Sequence, residues 1–517
     1  HTILTDVTGV QTCALPIYEI TSAKSSGYRA NWSYDHSKLA FKMIDPEKGQ
    51  SPVVFDLPGG ELIHLAPYAR QCGVPFFSRD GKISFSIDHE IYVLNADYTL
   101  AHRIDVGHYA NLCVLSPNGD RVAYNDQDDQ IWLVSLDALS KIQVTKGEGS
   151  YFSPLWSPDG EKLLISTMGG EMKLVSMDTM AVVSLDEGEN PSWLPDGRTL
   201  VYSKKTIREG EMVNMDLYQV ECDTLQKKQL TNSPDRFESH CAYDRATQTF
   251  LICDQKEGAL YTTVSGRLGA DAEFSSGLKK LVLPQPIPMS SKRAPIFKTQ
   301  FQGSRAEDAI KVLSGVPYLH QVYDTPNWYN GHWACGASSA TMALTYYKKL
   351  AHWDCTVSVP YSHVSHYGRY VCEQYTYSGY TFSSMTTDAS GKAAYGGYGY
   401  ICRNNWADTK GYMAEYLRKH GLRSSVDWSP SWAKLQTEIN NGYPMVILNS
   451  LTSAGHYILG TGYYTSQHTV VVNDPYGNKN TPGYPSYDGA GTKYDWPGYN
   501  NGFKNLNTVH CFIYARK

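Results

Sequence analysis

The sequence predicts a multi-domain chain, an N-terminal all-β propeller of about six blades followed by an α+β domain. Three observations carry this: a turn motif recurring at about 37 to 45 residues, a Pro-rich stretch where the recurrence stops, and a helix-mouth cysteine followed far downstream by a His and an Asp. At 517 residues and 42% hydrophobic, the chain is long enough for two or three domains with full cores. A net charge of −5 offers no basic footprint for nucleic acid or an anionic membrane, and no apolar run reaches the length of a membrane-spanning helix.

The recurrence begins after residue 17. Val7-Thr8-Gly9-Val10-Gln11-Thr12-Cys13-Ala14-Leu15-Pro16-Ile17 looks like a sequencing-adapter oligonucleotide translated in frame, so residues 1–17 are expected to be adapter-derived and disordered. A natural N-terminus lost in this way would leave any signal peptide unreadable. From 18 to 283 the motif copies are Trp32-Ser33-Tyr34-Asp35, Phe77-Ser78-Arg79-Asp80-Gly81, Leu115-Ser116-Pro117-Asn118-Gly119, Trp156-Ser157-Pro158-Asp159-Gly160 and Trp193-Leu194-Pro195-Asp196-Gly197. A degenerate sixth is Cys241-Ala242-Tyr243-Asp244. Each is an apolar residue, a tight turn and a short alternating strand, with a further strand after it, such as Glu90–Leu94 or Gln130–Val134. Units that cannot bury their own faces must stack, and radial stacking makes a propeller. Asp126, Asp128 and Asp129 lack the spacing and glycine of a Ca²⁺ loop and read as a solvated hairpin turn. No G-x-S-x-G elbow with its His and Asp partners occurs, so the propeller carries no serine-hydrolase chemistry.

Residues 284–315 read as a Pro-rich linker, with a short helical piece at Arg305–Leu313, before a second domain at 316–517. There Gly331 to Tyr347 places Cys335 at the mouth of a helix, where unpaired N–H groups and the helix dipole favour negative charge on sulfur. Alone, such a cysteine is more often a small core residue. The strands Gly455–Gly460 and Thr469–Asn473 flank a polar turn, and an antiparallel hairpin brings Asp474 within a residue or two of His456, a base with its orienting partner. Asp408 and Pro430 begin further helices, Gly421 and Gly442 end them, and Pro444–Asn449 is a buried strand.

The N-terminal repeats resemble the WD-repeat-like propeller repeats of the bacterial Tol translocation system and of dipeptidyl-peptidase-like enzymes. In the second domain the matching pieces are Val316-Pro317-Tyr318-Leu319-His320-Gln321, Trp333-Ala334-Cys335-Gly336-Ala337-Ser338-Ser339, Asn441–Ile447, Gly455-His456-Tyr457 and Asp474-Pro475. In this order they resemble the papain-like cysteine peptidases, and among them the bacteriocin-processing peptidases that cleave after double-glycine leaders. The resemblance implies Cys335 as nucleophile, His456 as base and then acid, and Asp474 as the group fixing its tautomer. It makes Gln321 an oxyanion donor, worth about 3 kcal/mol of barrier where such a donor is preorganised. His332 is too close in sequence to face Cys335 across a cleft, and His510 has no acidic neighbour and reads as structural.

Residues 351–409 depart from that pattern as a Tyr/Gly-rich insertion containing Cys355, His363, His366, Cys372 and Cys402. The Gly396 to Tyr400 run reads as flexible backbone near a ligand, and the Cys and His spacing matches no zinc finger, so disulfide pairing that includes Cys511 and leaves Cys335 single is expected. Paired cysteines would place the protein in an oxidising compartment, secreted or periplasmic. The 39 tyrosines and 11 tryptophans, dense after residue 317, fit either a peptide- or sugar-binding cleft or the loops of a secreted protein. The expected function is hydrolysis of a peptide amide bond without metal or cofactor, the propeller binding or positioning a protein or glycan partner. Peptidoglycan peptide is the variant substrate, glutamyl transfer the variant reaction, and a non-catalytic secreted scaffold the reading from another class.

Overall fold

The recurring turn works through one serine and one aspartate. In the computed structural model of the chain, residues 30–263, 278–280, 290–293 and 310–517 are described, with short breaks at 36, 46–47, 148, 169, 209–210, 235, 245–248, 255–258, 453–454, 466 and 482–483. Ser33, Ser78 and Ser157 each donate a hydroxyl to the aspartate two residues on, and Ser116 donates to Asp120 at 2.8 Å. Gly81, Gly119, Gly160 and Gly197 take φ between +68° and +79°, a region a side chain resists. Each motif thus closes the hairpin from the first to the second strand of a sheet, as from Tyr151–Trp156 to Lys162–Thr167.

Among the described residues, five sheets have four strands each, with strands between 76–105, 111–143, 151–187, 189–229 and 238–280. The regular four-stranded blades are therefore five, against the about six expected. The sheet holding the first motif copy differs because Ser290–Arg293, expected to be linker, adds to it as a fifth strand, parallel to Glu61–His64. Consecutive sheets are stitched by the motif tryptophans: the Trp156 indole donates to the Val114 carbonyl at 3.0 Å and that of Trp193 to the Leu155 carbonyl at 3.3 Å. The Asp126–Asp129 turn is not fully solvated. Asp126 and Asp129 are buried, and the Asp126 carboxylate accepts from the amides of Asp128 and Gln130 and from the Trp132 indole.

Two compact units divide the chain, residues 1–208, 212–305 and 500–502 in the first and residues 209–211, 306–499 and 503–517 in the second. Residues 1–17 and 294–309, including most of the helical piece expected at Arg305–Leu313, lie outside the described residues; the rest of that piece is a strand, Ile310–Val312. It opens the sheet of the second unit. That sheet is antiparallel in the order Val426–Asp427, Val509–Tyr514, Met445–Asn449, His456–Tyr464, Thr469–Asn473 and Thr492–Asp495, with Ile310–Val312 on the far half of His456–Tyr464.

The helices are α1 (Cys335–Tyr346), α2 (Gly368–Cys372), α3 (Gly396–Ile401), α4 (Thr409–Lys419) and α5 (Trp432–Asn440). Asp408 caps α4 by accepting from the Gly411 amide, and Ser431, after Pro430, caps α5 from Lys434. α1 lies directly on the His456–Tyr464 strand because its first turn is small. A Cβ on Gly336 would stand 2.7 Å from Met413 Cε and 3.2 Å from the Tyr457 ring, and the Ser339 hydroxyl donates to the Tyr457 carbonyl.

The insertion is core, not a flexible flap. Val371, Cys372, Tyr375, Phe382, Tyr398, Tyr400, Ile401 and Cys402 are buried in one cluster with α1 and α4. The Gly396 to Tyr400 run, expected to be loose backbone, is helix α3, buried throughout. Its glycines answer close approach: a Cβ on Gly399 would lie 2.1 Å from the Ser384 carbonyl oxygen. Many of the tyrosines are core residues too, with hydroxyls satisfied internally, as where Tyr375 meets Tyr416 at 2.7 Å and His420 at 2.9 Å. The expected disulfides are absent: Cys355, Cys372, Cys402 and Cys511 are buried thiols. Cys372, Cys402 and Cys511 belong to one hydrophobic cluster, and the lack of pairing removes the argument from disulfides to an oxidising compartment.

Gly399→Ala tests whether the insertion is packed. The added methyl must displace backbone, at a cost of about 1–3 kcal/mol, so the thermal midpoint of the second unit in the full chain should fall by several degrees. An unchanged midpoint would mean a segment free to yield.

Candidate active site

The site starts at a helix without a lid. Ala334 caps α1 with no side-chain hydrogen bond, so the amides of the first turn point outward around Cys335, which is partly exposed. In the sheet the register pairs Leu459 with Asn473, so His456 opens its strand and Asp474 directly follows the end of the next. Their side chains meet: His456 Nε2 lies 2.7 Å from Asp474 Oδ1, with the imidazole 5% and the carboxylate 0% exposed. The Cys335 sulfur is near enough to this ring to favour its protonated form. Burial alone would push the imidazole down, but the Asp474 charge and hydrogen bond, then the Cys335 sulfur, raise it to about 10.

Sequence reasoning missed what holds the aspartate. Asp474 Oδ2 accepts from the Tyr494 hydroxyl at 2.7 Å, and Oδ1 from the Tyr476 amide at 2.9 Å. The Tyr484 hydroxyl reaches both carboxylate oxygens and lies 3.2 Å from His456 Nε2, while Tyr318 donates to the Asp474 carbonyl. Burial and the adjacent carboxylate raise Tyr484 and Tyr494 well above the usual phenol range, so both stay donors. Tyrosine density was the available signal, but it does not say which hydroxyls converge.

Gln321 comes to the same region with its amide already occupied. Its Nε2 donates to the Gly331 and Gly331-adjacent His332 carbonyls, each at 2.8 Å, so both hydrogens are spent on the chain entering α1. The turn behind it is fixed by a second His–Asp pair. Asp324 accepts from the His320 amide at 2.6 Å, the Tyr487 hydroxyl at 2.6 Å and His363 Nε2 at 2.9 Å. His320, pushed down to about 4 by burial, accepts on Nδ1 from the amides of Val322 and Tyr323 and is neutral. His332 bonds the Tyr476 hydroxyl and His510 bonds Ser450, so neither faces the thiol as a base.

The insertion supplies a neighbouring wall. Trp333, 44% exposed, meets Trp406 edge-on at 6.2 Å, and Trp406 meets Tyr398 at 5.7 Å. Trp406 is the last of three successive left-handed residues, after Asn404 and Asn405, with φ of 60°, 52° and 67°. For non-glycine residues that conformation costs energy and persists only where surrounding packing imposes it. Tyr398, Ile401 and Cys402 pack in one buried cluster with Ala334 and Ala337, which flank Cys335 in the chain, so α3 lies against the start of α1. What the arrangement can do is deliver a nucleophilic sulfur, a proton carrier and open amide donors to one carbonyl group.

Comparison with known proteins agrees with both units. Residues 18–241 match the model of the TolB beta propeller domain, and residues 313–502 match that of the Peptidase_C39 like family. The first stretch is thus similar to a TolB-type propeller and the second to a Peptidase_C39-like domain. Among curated proteins none matches. Solved structures that align include the β-propeller domain of Cps50 (Swd1) from Myceliophteria thermophila, at 13% identity and TM-score 0.39 over 55% of this chain and 93% of that one. A putative TolB from Agrobacterium tumefaciens aligns at 15% identity and TM-score 0.32, over 47% and 92%. An oligogalacturonate lyase in complex with manganese aligns at 15% and 0.37, over 45% and 72%.

The raised His456 has a thermodynamic signature. Folded, it titrates near 10 and unfolded near 6.5, so the native state binds the extra proton and stability is lost as pH rises between those values. Thermal midpoints of the full chain should fall across that window more steeply than those of His456→Gln. Lys479, pushed down to about 8 by burial, works in the opposite direction, and the subtraction cancels it. Parallel curves would remove the buried imidazolium.

Proposed function

We propose that the C-terminal domain is a cysteine peptidase that hydrolyses a peptide amide bond, with the propeller binding or positioning its substrate. The observation that carries this is the buried 2.7 Å contact of His456 with Asp474, with the Cys335 sulfur among the groups that raise the imidazole. In the reaction Cys335 Sγ attacks the carbonyl carbon, and the developing oxyanion meets the uncapped first turn of α1. His456 then protonates the leaving amine as the C–N bond breaks, and afterwards takes a proton from the water that hydrolyses the thioester. Asp474 keeps the ring oriented and compensates its charge, and Tyr494 and Tyr484 keep Asp474 in place. For Gln321 to join as an oxyanion donor, its amide must release the Gly331 or His332 carbonyl; until then it holds the approach to Cys335.

The substrate in this proposal is a peptide or protein. The double-glycine preference of the bacteriocin-processing enzymes is left out of it, because the aromatic wall beside Cys335 comes from the insertion that departs from their pattern. A non-catalytic scaffold would have no use for an accessible thiol against a buried, charge-compensated imidazole.

An iodoacetamide probe at neutral pH should alkylate Cys335 stoichiometrically, and His456→Ala should slow this by about a hundredfold or more, the range of general acid–base effects. Equal labelling of the two proteins would sink the thiol–imidazole assignment. Incubation with a peptide library and with purified peptidoglycan, products read by mass, should give hydrolysed amides that Cys335→Ala does not produce.

A further inference from the structure

Outside the catalytic region, the insertion begins with a second arrangement of polar ligands. His352, Trp353 and Asp354 run without regular secondary structure after α1, and alternation sends Trp353 inward and its two neighbours out. Trp353 is anchored: its amide donates to the His366 carbonyl at 2.8 Å, and its ring meets Tyr370 edge-on at 5.2 Å under the Arg369 guanidinium. The Arg369 Nε in turn donates to the Asp354 carbonyl at 3.0 Å. The same hydrogen bond that anchors Trp353 brings in His366, just past the strand His363–Ser365, from the other side. Its ring stacks on His352 at 4.4 Å, and its Nδ1 lies 2.7 Å from Asp354 Oδ1.

We propose that His352, Asp354 and His366 form a binding site for a divalent transition-metal cation, separate from the cysteine site. One donor atom from each lies within 4.8 Å of the other two, and all three side chains are exposed. Two imidazoles and one carboxylate are a donor set suited to Zn²⁺, Ni²⁺ or Cu²⁺, with the solvent side left for water. Closing the donors to the separation of about 3.3 Å that bonds of ~2.0 Å require takes only rotation of exposed rings, because the backbone of both segments is already held together. Exposure also means that the cation keeps part of its hydration and the ligands lose little of theirs. The two segments it would join lead out of the cysteine helix and into the insertion, so the bound ion staples the insertion at its base.

The test uses the full chain carrying Cys335→Ala, so that the catalytic thiol cannot act as a ligand. Titration with ZnCl₂ and with NiCl₂ at pH 7.5 in a non-coordinating buffer, followed by calorimetry, should show one equivalent bound with micromolar or tighter affinity. The thermal midpoint should rise with Zn²⁺. His352→Ala and His366→Ala should each weaken binding about tenfold or more, and Asp354→Asn by less. Absence of saturable binding, or the same affinity in the His352→Ala/His366→Ala double variant, would overturn the proposal. All three positions are on the surface, so the variants should fold with an unchanged metal-free midpoint.

Discussion

A carboxylate with no exposure at all, Asp474, is the constraint on which the second unit depends. Taking such a charge out of water costs several kcal/mol, and the cost is offset only if every lone pair finds a donor. Here the donors are the His456 ring, the Tyr476 amide and the hydroxyls of Tyr494 and Tyr484. Each comes from a different place in the chain. The strand register brings His456, the segment after Asp474 folds back to bring Tyr484, and the strand Thr492–Asp495 brings Tyr494. The ion pair therefore fixes the fold of the C-terminal half as much as the fold fixes the pair.

The cysteine side depends on smallness. α1 reaches the histidine strand because Gly336, Ala337 and Ser338 leave room, and the sulfur then stands next to the imidazole without any long side chain to place it. Precision in such a contact comes from backbone packing, which has far less freedom than a rotamer. The insertion reinforces this from the other face of α1. Tyr375 and Phe382 interlock with Tyr416 and His420 of the α4 end, and together with residues of α1 they form one buried cluster, so α1 is packed between sheet and insertion.

Much of this was legible in the sequence, for reasons that separate local from non-local physics. The propeller turns were readable because Ser, Asp and Gly act within five residues of one another, and the facing of His456 and Asp474 because one short hairpin sets it. Features that depend on distant partners were not. Ser290–Arg293 looked like linker because a parallel edge strand has no turn to announce it. The Gly396 to Tyr400 run looked flexible because glycine serves both loose backbone and close approach, and only Ser384 decides between them. Gln321 carried the right residue type in the right order, yet its amide is spent on Gly331 and His332, a local competition that chain order cannot reveal. In the Asp126–Asp129 turn, the Trp132 indole six residues on takes up a carboxylate that composition alone would put in water.

The cysteines show how one expectation can stand while the route to it fails: Cys335 is unpaired, but not because its neighbours pair. Counting thiols made Cys335 the odd one left after pairing, whereas the others are unpaired and simply buried. Among the ten described cysteines Cys335 alone is not buried. Burial raises the thiols of Cys72, Cys113, Cys222 and Cys511 to about 12, and those of Cys372 and Cys402 well above their usual range. The thiolate is the reactive form, so a sulfur kept protonated in an apolar site is inert whatever its redox surroundings. Among the described residues, desolvation, a property of packing, thus works against thiolate formation at these buried positions and leaves Cys335 as the accessible sulfur, in a reducing compartment as well as in an oxidising one. Cys402 packs in one buried cluster with Ala334 and Ala337, which flank Cys335 in the chain, so the packing that keeps Cys402 protonated reaches the helix mouth itself.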